Sequence, residues 1–451
     1  MRHKHKLFNF ILSLFIIFNF PSCSYNEATG KNQFNWVSDE KEVKIGKSAH
    51  AQIQRQHGLY RDPELSRYIN HVGQKVVKFC GRTNINYYFT VLDSPMINAF
   101  ALPGGYVYVT RGVLAQMNSE AELAFVLGHE VAHIAAKHGA QRITQAEGIG
   151  AALRLASILL KESANDWGAV VNKVVELSVM GYGRQNEFES DMLGADYSHQ
   201  ASYSIEAGSE FLRTLKKQEK YESNWLAQLH SSHPPTAERI NRIQDKIDEL
   251  EASENIKLMV RKSIFLNKIN GLFMGNYPQS GQRKGDTYKN YQYGFSLNVP
   301  KEWAMSATLS KSIVKLKYKD MASGSITVEK VKSNQKNTST TKIVSGKTVL
   351  TYTYYKLPFK ITLNFKLAER YKPNNFKIPQ IARSFKFLEK NELKKAKAYR
   401  LIIHTVKQNQ TLASISKVYF NDANHVSKIA AFNNFKETAK LKVNQKIKIP
   451  I

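Results

Sequence analysis

His129-Glu130-Val131-Ala132-His133 decides how this chain is read. The five residues sit inside Ser119 to His138, a stretch with strong helical character. On a helix, side chains four residues apart project from the same face. Two imidazoles so placed can bind one zinc ion, and the glutamate beside them can serve as general base on a water at that ion. The same five residues also describe two helix histidines next to a surface glutamate, so their surroundings decide.

A catalytic zinc has three protein ligands and one open position. The third ligand is expected on a nearby element. Gly183-Arg184-Gln185-Asn186-Glu187-Phe188-Glu189-Ser190-Asp191 offers candidates. Glu187 and Asp191 share a helix face. One can bind the metal while the other accepts a hydrogen bond from the second nitrogen of a ligand histidine, which fixes its tautomer. Glu189 lies about 200° around the helix from Glu187 and is expected to face away. His138 lies about 180° from His129 on an ideal helix, so it is expected to be a partly exposed polar histidine and not a ligand.

The chain has 451 residues, 42% of them hydrophobic, and a formal net charge of +28. That length suggests about two to four domains. Acidic residues are sparse after Gly285 while lysines recur. Such a tail implies anionic partners: phospholipid headgroups, acidic glycans or acidic substrates. Nucleic acid is not expected, because the N-terminus points outside the cytoplasm. Arg2, Lys4 and Lys6 precede an apolar run from Leu7 to Phe20. The run is short for a membrane span, which needs about 20 apolar residues, and reads as an export signal. Pro21-Ser22-Cys23 then resembles a bacterial lipoprotein signal, whose cleavage would leave Cys23 as the lipidated first residue. Cys80, in an apolar stretch, reads as a buried small hydrophobe.

Asp39 to Cys80 reads as amphipathic helix broken near Asp62-Pro63, and Tyr87 to Leu92 and Tyr106 to Thr110 as strands. Glu120 to Ile143 is expected to be one helix, Val170 to Tyr203 mostly helical, and Ile205 to Glu219 and Thr236 to Leu250 helical. Ile149 to Leu160 is apolar and is expected in the core or lining the cleft. A glycine-rich connector follows. Tyr293 to Pro300, Ser312 to Tyr318, Ser325 to Val331, Thr348 to Tyr354 and Lys360 to Phe365 have strand composition.

Several ordered stretches carry a family resemblance: Ala28-Thr29-Gly30-Lys31; Asp93-Ser94-Pro95 running into Asn98-Ala99-Phe100-Ala101-Leu102-Pro103-Gly104-Gly105; Asn118-Ser119-Glu120-Ala121-Glu122; the histidine motif; Arg184, Glu187 and Asp191; and His233-Pro234 with Arg239. Together they resemble the M48 (Ste24-like) zinc metallopeptidases, in their bacterial lipoprotein branch. The resemblance implies one Zn2+ per chain, bound by His129, His133 and Glu187, with Glu130 as base and Asp191 orienting a ligand. It implies metal-assisted hydrolysis of peptide bonds, with His233 or Arg239 stabilising the developing oxyanion. His233 has a second possible role, as a fourth ligand that holds the enzyme latent, and a third, as a cap on the helix near Thr236. Asn98, Ala99, Phe100 and Ala101 are expected to form an edge strand that binds extended substrates through the backbone.

The C-terminal stretch from His404 through Ile429-Ala430-Ala431-Phe432-Asn433 to Ile447-Lys448-Ile449-Pro450 resembles a LysM module, with Asn409-Gln410 where Gly-Asp is usual. That implies a βααβ fold and a peptidoglycan or other glycan partner. The expected fold class is α+β: a mainly helical zincin-type metallopeptidase domain with a small sheet carrying an edge strand, then a small β-rich domain, then the LysM-like module. The expected spans are 1–22 signal peptide, 23–38 tether, 39–250 peptidase, 251–285 connector, 286–390 β-rich domain and 399–451 LysM-like module. The expected function is a lipid-anchored endopeptidase acting on unfolded or misassembled polypeptides in the periplasm, at the outer membrane of a Gram-negative envelope. The competing readings are a non-proteolytic chaperone or assembly factor, and a wall-binding scaffold.

Overall fold

The computed structural model describes residues 23–34, 37–146, 164–234, 236–251, 258–274, 281–290, 293–307, 312–333, 335–389, 392 and 400–451. The proposed leader, the side chain of Cys23 and the apolar stretch from Ile149 to Leu160 lie outside the described residues. Among those residues, no helix is long and apolar enough to cross a membrane. The chain divides into two compact units, one combining residues 1–272 with 401–450 and the other centred on 273–400.

The first unit starts with an antiparallel hairpin, β1 (Cys23–Asn26) and β2 (Lys31–Phe34). The stretch expected to be a tether is therefore partly ordered. Buried Asn26 fixes it by donating from Nδ2 to the Ala135 carbonyl at 2.9 Å. Helix α1 (Asp39–His57) starts at a Ser38 cap and α2 (Pro63–Val77) at an Asp62 cap, with Pro63 in its first turn. Each cap satisfies a backbone N–H that the helix itself leaves open. Cys80 is fully buried.

Three strands follow: β3 (Tyr88–Leu92), β4 (Ala99–Leu102) and β5 (Tyr106–Thr110). β5 is central, parallel to β3 and antiparallel to β4. Gly105 makes the β4–β5 turn possible: its φ is +96°, and a Cβ there would sit 1.9 Å from the Asn86 carbonyl oxygen. β4 is an edge strand, as expected, but not an open one. All four of its residues are buried.

Helix α3 (Arg111–Gln116) leads to α4 (Glu120–Ala135), which carries the histidine motif. Ser119 Oγ accepts from Glu122 N, and the Glu122 carboxylate accepts from Asn118 N, so the start of α4 is capped from both sides. Every residue of α4 is buried. The expected helix to Ile143 is not continuous. Lys137 adopts a left-handed φ of 56° and a separate helix, α5 (His138–Ala146), begins. The remaining helices are α6 (Ala164–Ser178), α7 (Arg184–Gln200), α8 (Glu206–Ser232), α9 (Ala237–Glu251) and α10 (Lys262–Lys268). Val170, Val171 and Val174 of α6 and Ile45, Ala49 and Ile53 of α1 join Phe100 and Leu102 of β4 in one apolar cluster. This packing is what covers β4.

The second unit holds two antiparallel sheets. One consists of β6 (Gln282–Lys284), β7 (Thr287–Asn290), β8 (Phe295–Asn298) and, later in the chain, β15 (Lys386–Phe387). The other has six strands: β9 (Ala304–Ala307), β10 (Ser312–Tyr318), β11 (Ala322–Lys330), β12 (Thr338–Val344), β13 (Lys347–Lys356) and β14 (Phe359–Ala368), in the order β12-β13-β14-β11-β10-β9. Helix α11 (Ile378–Arg383) precedes β15. Trp303 anchors the core, fully buried, with its indole N–H donating to the Phe376 carbonyl.

The C-terminal module runs β16 (Leu401–Thr405), α12 (Leu412–Phe420), α13 (Val426–Phe432) and β17 (Lys446–Pro450), with the two strands paired antiparallel. Asn409 has φ +61°, which explains why asparagine can replace glycine there. The module is part of the first unit. Lys448 on β17 is fully buried, and its ammonium donates to the carbonyls of Ala115, Gln116 and Met117 at 3.0, 2.7 and 2.9 Å. Its amine meets the carbonyls at the end of α3, and burial pushes its proton affinity down to about 7.

Candidate active site

Helix α4 brings His129 and His133 onto one face, and α7 crosses it closely. The crossing depends on two glycines. A Cβ on Gly128 would sit 2.8 Å from the Gly194 carbonyl, and one on Gly194 would sit 2.6 Å from His129 N. Bare backbone at both positions lets Glu187 and Asp191 reach the histidines. The end of α8 supplies His233, and α9 supplies Arg239.

His129, His133, Glu187 and His233 form a buried cluster whose possible ligand atoms all lie within 4.8 Å of one another. The Nε2 atoms of His129 and His133 are 3.1 Å apart. Glu187 Oε1 is 3.4 Å from His133 Nε2, and Glu187 Oε2 is 3.6 Å from His129 Nε2. His233 Nδ1 is 3.3 Å from His129 Nε2 and 3.0 Å from Glu187 Oε1. A tetrahedral zinc with ligands at about 2.0–2.1 Å would hold them about 3.3–3.4 Å apart. The observed separations bracket that value, so these side chains fit such an ion.

The charges are arranged to suit. Burial opposes ionisation of Glu187, but His233, His133 and His129 outweigh it and hold the carboxyl well below its ordinary range. Burial pushes His133 well below the usual imidazole range, which keeps it in the neutral, metal-binding form. Burial pushes Glu130 up, against the pull of His233 and His129. Glu130 Oε1 is 3.7 Å from His233 Nε2, and its Oε2 is buried with no hydrogen-bond partner among the described residues.

Residues 61–247 match Peptidase family M48, and residues 404–450 match the LysM domain. The chain carries a peptidase family M48 domain. The fission yeast Schizosaccharomyces pombe protein "Mitochondrial metalloendopeptidase OMA1" is 26% identical over 255 residues, covering 55% of this chain and 74% of that one. The "Beta-barrel assembly-enhancing protease" of Escherichia coli is 26% identical over 231 residues, 49% of this chain and 47% of that one. The "Putative beta-barrel assembly-enhancing protease" of Vibrio cholerae is 28% identical over 214 residues, 46% and 44%. The chain thus spans just under half the length of these two bacterial relatives.

Around the cluster of the M48 domain lies a second ring of contacts. Asp191 Oδ1 is 2.9 Å from His129 Nδ1, with the N–H not aimed squarely at it. Arg239 pairs with both oxygens of Asp191 and places Nη1 3.2 Å from Glu187 Oε2. Its Nη1 also donates to the Pro234 carbonyl. Most of its N–H groups are thereby taken, which leaves little for an oxyanion.

His138 departs from the sequence expectation. It is buried, and its Nδ1 lies 2.9 Å from His133 Nδ1. The break at Lys137 turns it back toward the motif, so the ideal-helix angle does not apply. His138 Nε2 reaches Glu189 Oε2 at 3.0 Å, and Lys31 Nζ reaches Glu189 Oε1 at 2.6 Å. One proton pattern satisfies the row: His133 Nδ1–H donates to His138 Nδ1, and His138 Nε2–H donates to Glu189. That leaves His133 Nε2 as a lone pair facing the cluster. Glu189 does face away from Glu187, as expected, but it is engaged.

Tyr182 was not singled out by the sequence. Its ring stacks on His133 at 4.0 Å and 19°. Gly181 beside it has no room for a Cβ, which would lie 2.2 Å from the Ser231 carbonyl, so the two segments that carry Tyr182 and His233 are pressed together. A glycine on each side of a tyrosine was the only signal available. The recess bounded by Ala101, Pro103, His133 and Tyr182 has room for about one water. Asn98 is buried, and its Oδ1 accepts from Ser232 Oγ at 3.2 Å, which ties the start of β4 to the residue before His233.

Proposed function

We propose that this protein is a zinc-dependent metalloendopeptidase that cleaves unfolded or misassembled polypeptides at a bacterial cell envelope. One observation carries the reading: two histidines, a glutamate and a third histidine, from three separate elements, converge at tetrahedral ligand spacing beside a buried Glu130. His129, His133 and Glu187 are the assigned metal ligands. A zinc ion held there supplies Lewis-acid activation of a water and of the scissile carbonyl. Glu130, with its raised proton affinity and free Oε2, accepts the water's proton and passes it to the leaving amine. Asp191 orients His129. Arg239 is a positioning residue that holds Asp191 and Glu187 in place.

His233 Nδ1 belongs to the same cluster, 3.3 Å from His129 Nε2 and 3.0 Å from Glu187 Oε1. We assign it as a fourth ligand that holds the resting enzyme latent. The covered state of β4 fits the same picture, because a substrate strand paired along Asn98, Ala99, Phe100 and Ala101 needs that edge uncovered. The sequence supports export and acylation at Cys23, and a peptidoglycan-type glycan as the ligand of the LysM domain. The E. coli and V. cholerae relatives, named for β-barrel assembly, support an envelope quality-control role.

The test is zinc content and casein cleavage by residues 24–451, beside Glu130→Gln. The expected result is one zinc per chain, with any cleavage lost in the variant and on chelation. A chain that binds no zinc overturns the enzyme reading and leaves a client-binding or wall-binding scaffold.

A further inference from the structure

The charge of this chain is concentrated. Between Phe273 and Arg400 there are 26 Lys and Arg residues against 7 Asp and Glu. The six-stranded sheet of the second unit shows where part of that charge goes. One face packs inward through Leu316, Ile326, Leu350, Ile361, Leu363 and Phe365. Strand alternation then sends the intervening residues to the opposite face. The ladder register puts Lys315 beside Ser325, Lys317 beside Ser323, Lys366 beside Val349, Lys360 beside Tyr355, and Lys342 and Lys347 at the β12 end.

Among the described residues this outer face carries six lysines and a single acid, Glu329, which pairs with Lys360 at 3.0 Å. Lys317 pairs with Asp320 in the adjoining turn. Lys315, Lys342, Lys347 and Lys366 are exposed, with no ion pair among the described residues. Between them the face is hydroxyl- and amide-rich, with Thr340, Thr351, Thr362 and Asn364 at solvent-accessible positions.

We propose that this sheet face docks on a bilayer surface rich in anionic phospholipid headgroups. The distribution of charge favours that partner. Lys317 on β10 and Lys342 on β12 are four strand spacings apart, about 19 Å. The lysines therefore form a two-dimensional field and not a line along a groove, which matches a plane of phosphates better than one polymer chain. Among the described residues Tyr355 is the only aromatic on the face, and these residues form no stacking platform of the kind that single-stranded nucleic acids use. The few apolar residues, Val344 and Val349 among them, do not make an insertion surface. The contact is then electrostatic, at headgroup level, and sensitive to salt. This inference is independent of the peptidase reading.

The test uses residues 24–451, which have no cysteine at position 23 to acylate. Co-sedimentation is measured with vesicles of phosphatidylcholine alone and with added phosphatidylglycerol. Binding is expected only with the anionic lipid, and it should fall away at about 0.5 M salt. Glutamine at Lys315, Lys342, Lys347 and Lys366 should weaken binding by up to about a thousandfold. The variant Lys315→Glu, Lys342→Glu, Lys347→Glu, Lys366→Glu, which reverses the charge, should bind more weakly still. The charge-matched control Lys284→Glu, Lys301→Glu, Lys372→Glu, Lys386→Glu, off this face, should retain most binding. Equal losses in both glutamate variants would overturn the face. Equal binding to neutral vesicles, or retention on a soluble polyanion without vesicle binding, would overturn the bilayer.

Discussion

Arg239 grips Asp191 through two parallel hydrogen bonds, Nε to Oδ2 at 2.7 Å and Nη2 to Oδ1 at 2.8 Å, with both residues buried. A guanidinium is built for this fork, and an ammonium is not. Arg239 also faces Glu187, so one side chain holds one carboxylate of the candidate metal cluster and one beside it. Arg239→Lys is therefore expected to lower zinc affinity about 10–100-fold, with the chain still folded. Competition with a chromogenic chelator reads this directly. Unchanged affinity would remove the positioning role.

On the latent reading proposed above, His233 takes the position that substrate needs. His233→Ala should leave zinc bound by the remaining three ligands and raise casein cleavage by about tenfold or more, as the competent state becomes populated. A loss of cleavage with zinc retained would instead make His233 a donor to the oxyanion.

The row from His133 through His138 to Glu189 makes its own prediction. His138→Phe keeps bulk but removes the acceptor for His133 Nδ1. Zinc affinity should fall about 10–100-fold, because the tautomer and ring orientation of His133 are no longer fixed. Glu189→Gln, which can still accept from His138, should fall less. Chelator competition on the two variants side by side distinguishes this row from mere packing, where the order would not hold.

Lys448 should be a stability residue and not a surface one. Lys448→Met leaves three carbonyls of residues 115–117 without their donor and leaves buried Glu122 without its nearby positive charge, which the pKa of Glu122 registers. Leaving buried carbonyls without their donor costs on the order of 1–3 kcal/mol. Calorimetry should show the transition of the peptidase unit moving down while that of 273–400 stays in place. Coincident, unshifted transitions would sink the idea.

The candidate metal cluster was largely legible because its signals are local. His129 with His133, and Glu187 with Asp191, are each four apart on one helix, and helix geometry alone puts each pair on one face. His138 was misread for the same reason in reverse. An ideal-helix angle assumes an unbroken helix, and the left-handed Lys137 ends it. β4 was legible as an edge strand, but its cover comes from α1 and α6, distant in sequence. The burial of Lys448 had no local signal at all. In Ile447-Lys448-Ile449 the alternation places the lysine opposite the module's own core, which reads as solvent. Only the docking of the module onto α3 buries it.

The first unit is interrupted in sequence: its closing strand, β17, follows the whole of residues 273–400. As the chain emerges during synthesis, the histidines, glutamates and capping residues of the cluster arrive early, but Lys448 arrives only after the second unit has passed. Until then the carbonyls of Ala115, Gln116 and Met117 lack the Lys448 ammonium. Consolidation of the first unit is thus tied to synthesis of the chain beyond its second unit, and a ribosome that stalls before β17 leaves that unit not yet complete.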